Sequence, residues 1–266
     1  MISIAEKINA TIPSMKKIID LRDTEKLLEV ARQQTTAGAD YLDVNVGTGS
    51  GDQADEIEAM RWAVTALHNE VETPLCIDSA DPTVLRAGLE AHGDRPGLIN
   101  STKGSDKYLE AVVPLAKEFN KPIVGLAMDE EGIPKTVEKR VAACGRIVAA
   151  CEQHGIGPEN IFFDPLVLPV STDINQGIVT LETIKALKQE FPGTKTVMAL
   201  SNISFGLPKR RVFNVAFLHM ALLYGLDAAI CNVMDTELMG AAKTAEAILG
   251  KDRHCRKYAR FWRKNS

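Results

Sequence analysis

Three observations predict an α/β fold of the (β/α)8 barrel type. Short apolar runs alternate with helical patterns along the chain. Eight such units fit within 266 residues, the size at which this barrel closes. Five of the runs carry an Asp or Asn at or near their ends, as expected where strand ends build one shared site.

The expected strands occupy 3–8, 41–46, 74–78, 97–100, 122–128, 160–164, 196–201 and 228–231. The helices between them have recognisable starts and stops. Asp23 caps a helix carrying Leu27, Val30 and Ala31 and followed by Gly38. Val137, Val141, Cys144, Val148 and Cys151 form one stripe that ends at Gly155. Thr180 is expected as the N-cap of a helix with Leu181, Ile184 and Leu187 inside, and Asp235 as the cap before Leu238 and Ala242. Pro114 lies within the helical stretch 105–119 and should kink or divide it. A helix after every strand implies parallel pairing. An open doubly wound sheet is the alternative, but no G-x-G-x-x-G follows the first run.

No linker interrupts the alternation, so a single domain is expected over 1–266. It closes with a basic amphipathic helix near 251–264, where seven Lys/Arg face one Asp. Tyr258, Phe261 and Trp262 fall at i, i+3 and i+4, so this tail should dock an aromatic face on its own barrel or on a sister subunit. Hydrophobic residues make up 45% of the chain, yet no apolar run reaches the roughly 18 to 20 residues that span a bilayer. Glu6 and Lys7 interrupt what would be the core of a secretion signal. Five cysteines without a C-x-x-C pair suit free thiols in a reducing compartment, and a cytoplasmic location is expected. A net charge of −4 argues against a general nucleic-acid binder.

Alternation along a strand puts Asp43 and Asn45 on one face and Leu42, Val44 and Val46 on the other. The apolar face must meet helices, so the polar face points into the barrel mouth, and the same parity places Asp78, Asn100, Asp164 and Asn202 there. The ordinary use of a strand-end Asp is to cap the next helix. Asp78 is relieved of that role by Asp81-Pro82, a better-placed cap with Pro at the first helical position. Asp164 precedes Pro165-Leu166-Val167-Leu168-Pro169, where a helix cannot start at once. The five histidines fall in helices, helix-to-strand turns or the tail, which argues against a zinc site; no metal is expected, with oxygen-ligated magnesium the open alternative. Cys144 and Cys151 are expected in the core. A mouth rich in Asp and Asn suits a flat polar heterocycle with adjacent N–H donors and a carbonyl.

Leu42-Asp43-Val44-Asn45-Val46-Gly47, Cys76-Ile77-Asp78-Ser79, Ile99-Asn100-Ser101-Thr102, Asp164-Pro165-Leu166-Val167-Leu168-Pro169 and Leu200-Ser201-Asn202-Ile203-Ser204-Phe205-Gly206 follow in this order. Together they resemble the pterin-binding methyltransferases, in particular methyltetrahydrofolate:corrinoid-protein methyltransferases, over nearly the whole chain. The resemblance is more distant to the folate-binding module of cobalamin-dependent methionine synthase. It implies a homodimeric barrel that moves a methyl group between N5 of tetrahydrofolate and the cobalt of cobalamin (a corrinoid) carried by a separate protein, in either direction. By motif, Asp78, Asn100 and Asp164 would bind the pterin, Asn202 would stabilise charge at N5, and Arg210 would line the same site. Glu6, Asp43 and Asn45 complete the expected substrate-binding set, with Asn202 and Asp78 as the catalytic residues. The usual opening motif Gly-Glu-Arg-Ile-Asn reads Ala5-Glu6-Lys7-Ile8-Asn9 here, so no role passes to position 7. Glu152-Gln153-His154-Gly155-Ile156-Gly157 approaches the corrinoid-binding pattern Asp-x-His-x-x-Gly only by accident of a helix-to-strand turn. The alternatives are a dihydropteroate-synthase-like enzyme and a non-catalytic folate-binding protein.

Overall fold

The computed structural model describes residues 1–47 and 52–265. Eight parallel strands close in sequence order into a barrel. They are β1 (Ile2–Asn9), β2 (Tyr41–Asn45), β3 (Leu75–Asp78), β4 (Gly97–Lys103), β5 (Ile123–Leu126), β6 (Ile161–Asp164), β7 (Lys195–Ala199) and β8 (Ala228–Cys231). Ten α-helices accompany them among the described residues: α1 (Pro13–Asp20), α2 (Thr24–Thr36), α3 (Gln53–Glu70), α4 (Pro82–His92), α5 (Asp106–Glu118), α6 (Val137–Gln153), α7 (Gln176–Glu190), α8 (Arg210–Tyr224), α9 (Thr236–Ile248) and α10 (Arg256–Asn265). The expected barrel and parallel pairing hold, and the open sheet is excluded. Two helices fall outside the simple repeat: α1, which the sequence reading did not separate from α2, and the terminal α10.

Strand parity divides the apolar residues between two cores. Ile4, Cys76, Leu98, Val124, Phe162, Val197 and Ala228 fill the barrel interior. Leu42, Val44, Ile77, Ile99, Ile123, Phe163 and Met198 face outward and bury the inner stripes of the helices. On β3, β4 and β6 the inward residues one pleat closer to the C-terminal ends are polar, namely Asp78, Asn100 and Asp164, whereas β5, β7 and β8 place Leu126, Ala199 and Ile230 there. Asn45 is level with Asp78, and Asp78 with Asn100.

Several local readings hold at the level of caps. Asp23 accepts from the Lys26 amide at 3.2 Å and Asp235 from the Leu238 amide at 3.0 Å. Asp81 accepts from the Thr83 amide at 2.7 Å and the Val84 amide at 3.4 Å, with Pro82 opening α4. Cys144 and Cys151 are buried in α6, as expected.

Other readings need correction. Thr180 does not cap α7; it is buried one turn inside, and its hydroxyl donates to the Leu166 carbonyl at 3.2 Å. Pro114 neither divides nor ends α5, which runs through it. The carbonyl it leaves unpaired belongs to Glu110, on the exposed face where water serves. Val137, Val141 and Val148 only flank the buried stripe of α6, whose centre is Arg140, Ala143, Cys144, Ile147 and Cys151. β7 stops at Ala199, and Leu200–Ser204 turn into a 3-10 helix, so Asn202 does not end a strand. The tail docks on its own barrel: α10 packs on α9, and a methyl on Gly240 would sit 2.5 Å from the Trp262 ring.

Arg140 is fully buried without a carboxylate within ion-pair distance among the described residues. Its guanidinium donates to the carbonyls of Pro134 at 2.9 Å, Pro165 at 2.7 Å and Leu166 at 2.9 Å, and to Gln176 Oε1 at 2.8 Å. These bonds bind α6 to the loop after β6, where Leu166 adopts φ +65°. A fork of fixed donors is required; an ammonium cannot reach all four. Arg140→Lys should therefore cost about 2 to 4 kcal/mol, the penalty of orphaning one or two buried carbonyls, and lower the melting temperature by roughly 5 to 15 °C. Thermal unfolding followed by circular dichroism checks this, and a change within 1 to 2 °C would contradict it.

Candidate active site

A cavity of about 470 Å³ opens at the C-terminal ends of the strands. Asp43, Asn45, Asp78, Asn100 and Asp164 all line it, together with Asn9, Ser79, Thr102, Lys103, Tyr108, Leu126, Met128, Ala199 and Ile230. Five of the expected site residues thus converge from β2, β3, β4 and β6. Register explains the convergence: Asn45, Asp78 and Asn100 are successive neighbours, and all point inward by parity.

Asn45 Nδ2 donates to Asp78 Oδ2 at 2.8 Å, while Asn45 Oδ1 accepts from the Gly47 amide at 3.0 Å. The Asn45 amide is thereby fixed in orientation. Asn100 Nδ2 reaches Asp43 Oδ1 at 3.5 Å, a long contact. Burial pushes the Asp43 carboxyl well above the usual range, and the adjacent Asp78 charge pushes it further. Burial also raises Asp78, to about 6, against hydrogen bonds from Asn45 and Asp43 that favour its ionised form. Two like charges so close cannot both persist, so Asp43 retains a proton and donates it to Asp78. Asp78 is then the carboxylate that meets a ligand.

Asp164 stands apart from this pair on β6. Burial raises it to about 7, opposed by the Leu166 amide, which donates to Oδ1 at 2.8 Å, and by the positive charge of Arg140. Oδ2 accepts no hydrogen bond among the described residues, leaving a full acceptor edge. As expected from the following Pro-rich run, Asp164 caps no helix; α7 begins at Gln176.

Glu6 and Arg210 occupy a different place. They line a second cavity of about 220 Å³ beside the first, with Ser201, Asn214, Cys231 and Asn232. Arg210 Nη2 donates to the Ser201 carbonyl at 2.7 Å and Nε to Ser204 Oγ at 3.1 Å, but no carboxylate lies within ion-pair distance among the described residues. Its neighbour Arg211 is neutralised by Asp235 at 2.6 Å and Glu237 at 2.9 Å. Burial raises the Glu6 carboxyl, against the charges of Lys7 and Arg210. Asn202 lines neither cavity. It is exposed on the 3-10 turn that separates them, between Ala199 in the first wall and Ser201 in the second.

Lys103 and Tyr108 are cavity residues that sequence reasoning missed. The Lys103 ammonium lies 4.0 Å from the centre of the Tyr108 ring. β4 outruns its apolar stretch by three residues, through a register shift against β5 between Asn100 and Thr102, which carries Lys103 to the mouth. The only available signal was the β-branched Thr102 following the polar stop. A site of this composition can receive paired N–H donors at Asp78 and Asp164, and satisfy a donor or an acceptor at Asn100. Among the described residues no group of three or more His, Cys, Asp or Glu is arranged to hold a metal ion.

Comparison with known proteins agrees with this geometry. The family described as pterin binding enzyme matches residues 5–232. The methylcorrinoid:tetrahydrofolate methyltransferase of Eubacterium limosum is 36% identical over 265 residues, covering 99% of this chain and 96% of that protein. The methionine synthase of Mycobacterium tuberculosis is 32% identical over 85% of this chain, which corresponds to 20% of that much longer protein. Among solved structures, dihydropteroate synthase from Yersinia pestis superposes with a TM-score of 0.72 at 17% identity, covering 94% of both chains. The Vibrio fischeri enzyme gives 0.73 at 16% identity, covering 95% of this chain and 94% of that one. At such identities these two structures show a shared fold and nothing finer. The family match spans most of the barrel, and the chain belongs to the pterin-binding enzymes.

Proposed function

We propose that this protein is a methyltransferase that moves a methyl group between N5 of tetrahydrofolate and the cobalt of a corrinoid carried by a separate protein. The observation that carries the reading is the convergence of Asp78, Asn100 and Asp164 in one cavity at the strand ends. The full-length similarity to a methyltransferase of that substrate pair supports it. Dihydropteroate synthases share the barrel but not this level of sequence identity, which favours methyl transfer over pterin condensation. We further infer a homodimer in the cytoplasm. No helix among the described residues is long and apolar enough to cross a membrane, and four of the five free thiols are buried.

In this reading the chain's residues bind the pterin edge-on. Ionised Asp78 and Asp164 accept adjacent ring and amino N–H groups, and Asn100 completes the edge. Asp43 sits behind Asp78 and holds a proton within the pair, so it positions the binding carboxylate. Departure of methyl from N5 leaves negative charge on nitrogen unless a proton arrives, and a hydrogen bond at N5 lowers that barrier. Asn202 is assigned to this bond: its exposed turn stands between the two cavities and leaves the amide uncommitted to the fold. The corrinoid, when presented by its protein, supplies the methyl-accepting or methyl-donating cobalt.

The assignment predicts that Asn202→Ala slows methyl transfer about 10- to 150-fold, the value of one hydrogen bond to a charged centre, without altering thermal stability. Spectroscopic turnover with methyltetrahydrofolate and reduced cobalamin measures it; unchanged kcat would remove Asn202 from the mechanism.

Ligand affinity should also depend on pH. In the free protein Asp78 and Asp164 are protonated below about 6 and 7, yet both must be ionised to accept N–H groups. Binding then releases protons, and affinity falls as pH drops through that window, by about tenfold per unit for each group that must ionise. Calorimetric titration from pH 5.5 to 8 in buffers of different ionisation enthalpy reads both the affinity and the proton release. A flat profile would place the pterin elsewhere.

The stability linkage runs in the opposite sense. A carboxyl raised by folding adds stability that is fully present below its unfolded pKa, near 3.8, and lost as pH rises through about 7. Asp164→Asn removes that loss while keeping the acceptor for the Leu166 amide. The variant should melt higher than wild type at pH 8, lose the advantage near pH 4, and bind folate at least about tenfold more weakly. Denaturation at both pH values is the check, and equal midpoints at pH 8 would contradict the burial argument.

A further inference from the structure

A concentration of unpaired positive charge lies on the last helix. Seven Lys/Arg against one Asp give the final sixteen residues a charge of +6, so the preceding 250 carry −10. All seven cations are exposed, and among the described residues none of them enters an ion pair; the nearby Glu246 is taken by the Met1 amino group and by Lys243 at 3.6 Å. Asp252 is buried and spent on the helix start, where its carboxylate accepts from the amides of Lys257 at 3.0 Å and Tyr258 at 2.9 Å. Arg256, Arg260 and Arg263 follow at spacings of four and three, one stripe of α10, and with His254 and Ala259 they line a groove of about 350 Å³. The opposite face of the helix is committed to the barrel: Phe261 packs against the core, and a methyl on Gly240 would meet the Trp262 ring.

We propose that this groove is the docking site for an acidic segment of the corrinoid protein, a carboxylate-bearing loop or helix seated along the arginine stripe. The proposal rests on the methyl-transfer reading above and adds to it the surface by which the partner is recognised. Guanidinium forks in a row suit carboxylates, which they grip in bidentate pairs. Position agrees. Trp262 rests on Gly240, two residues along α9 from Leu238, which lines the cavity holding Arg210. A corrinoid-carrying domain of about 100 residues is roughly 30 Å across, wide enough to seat cobalt at the mouth and an acidic segment on α10 together. Other polyanions fit less well. α10 spans about 15 Å, so a long nucleic acid would run on over a body carrying −10 and be repelled there. An anionic bilayer would draw on an apolar helix face, and that face of α10 is already packed on the barrel. A folded partner can set its carboxylates against the stripe alone, and attraction there with repulsion over the rest of the body selects one approach.

Steady-state methyl transfer from methyltetrahydrofolate tests this with two acceptors, free cob(I)alamin and the reduced corrinoid protein encoded nearest to this chain in its genome. The double variant Arg256→Glu/Arg260→Glu should raise KM for the protein acceptor at least about thirtyfold, while the rate on free cob(I)alamin stays within about twofold. Lys117→Glu, at an exposed cation in the last turn of α5, should change neither. Raising NaCl from about 0.05 to about 0.3 M should raise the wild-type KM for the protein and leave that of the double variant nearly flat. As a readout independent of turnover, dye-labelled hexaglutamate should bind wild type at least about tenfold more tightly than the double variant, and more tightly than an oligothymidylate of about 20 nucleotides does. No transfer by wild type to either acceptor would overturn the methyltransferase reading and this docking with it. Transfer to free cob(I)alamin, with a KM for the corrinoid protein that the double variant leaves unchanged or with equal loss on both acceptors, would overturn the α10 site and leave the reaction standing. Tighter binding of the oligonucleotide than of hexaglutamate would give the groove to nucleic acid and overturn the proposal as well.

Discussion

Closure of the barrel is the constraint from which the remaining features follow. Once eight parallel strands join edge to edge, alternate residues have nowhere to point but inward. Apolar residues can fill the lower layers, as Cys76, Leu98, Val124 and Phe162 do. At the open end the same parity delivers Asn45, Asp78 and Asn100 side by side. Three carboxyl groups in so confined a space cannot all ionise in the absence of a partner, which is why Asp43 and Asp78 share protons and Asp164 is raised to about 7. The chemistry of the mouth is thus a consequence of its topology combined with burial.

Support for this mouth comes from outside it. Arg140 holds the loop after β6 through backbone carbonyls and approaches Asp164 closely enough to favour its ionised form. A carboxylate partner for Arg140 would have neutralised that influence. By leaving the guanidinium bonded only to neutral acceptors, the fold keeps a cation available to the site without placing it in the cavity. The cost of burying the charge is met by several well-directed hydrogen bonds rather than by a counter-ion.

What was legible in the sequence was whatever strand parity and capping chemistry determine. The barrel, the inward set from Asp43 to Asp164 and the Asp81-Pro82 cap each rest on local rules that tertiary packing did not override. Asn202 escaped those rules. Leu200 and Ile203 are both buried, so the apolar run continues unbroken where the backbone changes from strand to 3-10 turn. Arg140 was invisible for a related reason: periodicity treats arginine as a surface residue, and its partners are backbone carbonyls, whose demand for a donor leaves no mark on residue identity. Lys103 reached the mouth through a register shift, and pairing irregularities leave no trace in a single strand's pattern. The two-cavity arrangement of Glu6 and Arg210 likewise depends on how β7 gives way to a turn, which residue spacing alone does not encode.

The 3-10 turn Leu200–Ser204 divides the mouth into compartments of unequal charge balance. One side holds Asp43, Asp78 and Asp164 against Lys103; the other sets Arg210 and Arg211 against Glu6 and Asp235, with Arg210 in no ion pair among the described residues. A molecule spanning both compartments experiences an electric potential gradient along its own length. One that carries hydrogen-bond donors at one end and negative charge at the other is aligned by that gradient before close contact begins, whereas the reversed orientation brings its negative end to the carboxylates. Orientation would be chosen by long-range electrostatics, with shape complementarity left to refine depth and tilt, and raising the ionic strength should erode the alignment before it erodes the fit.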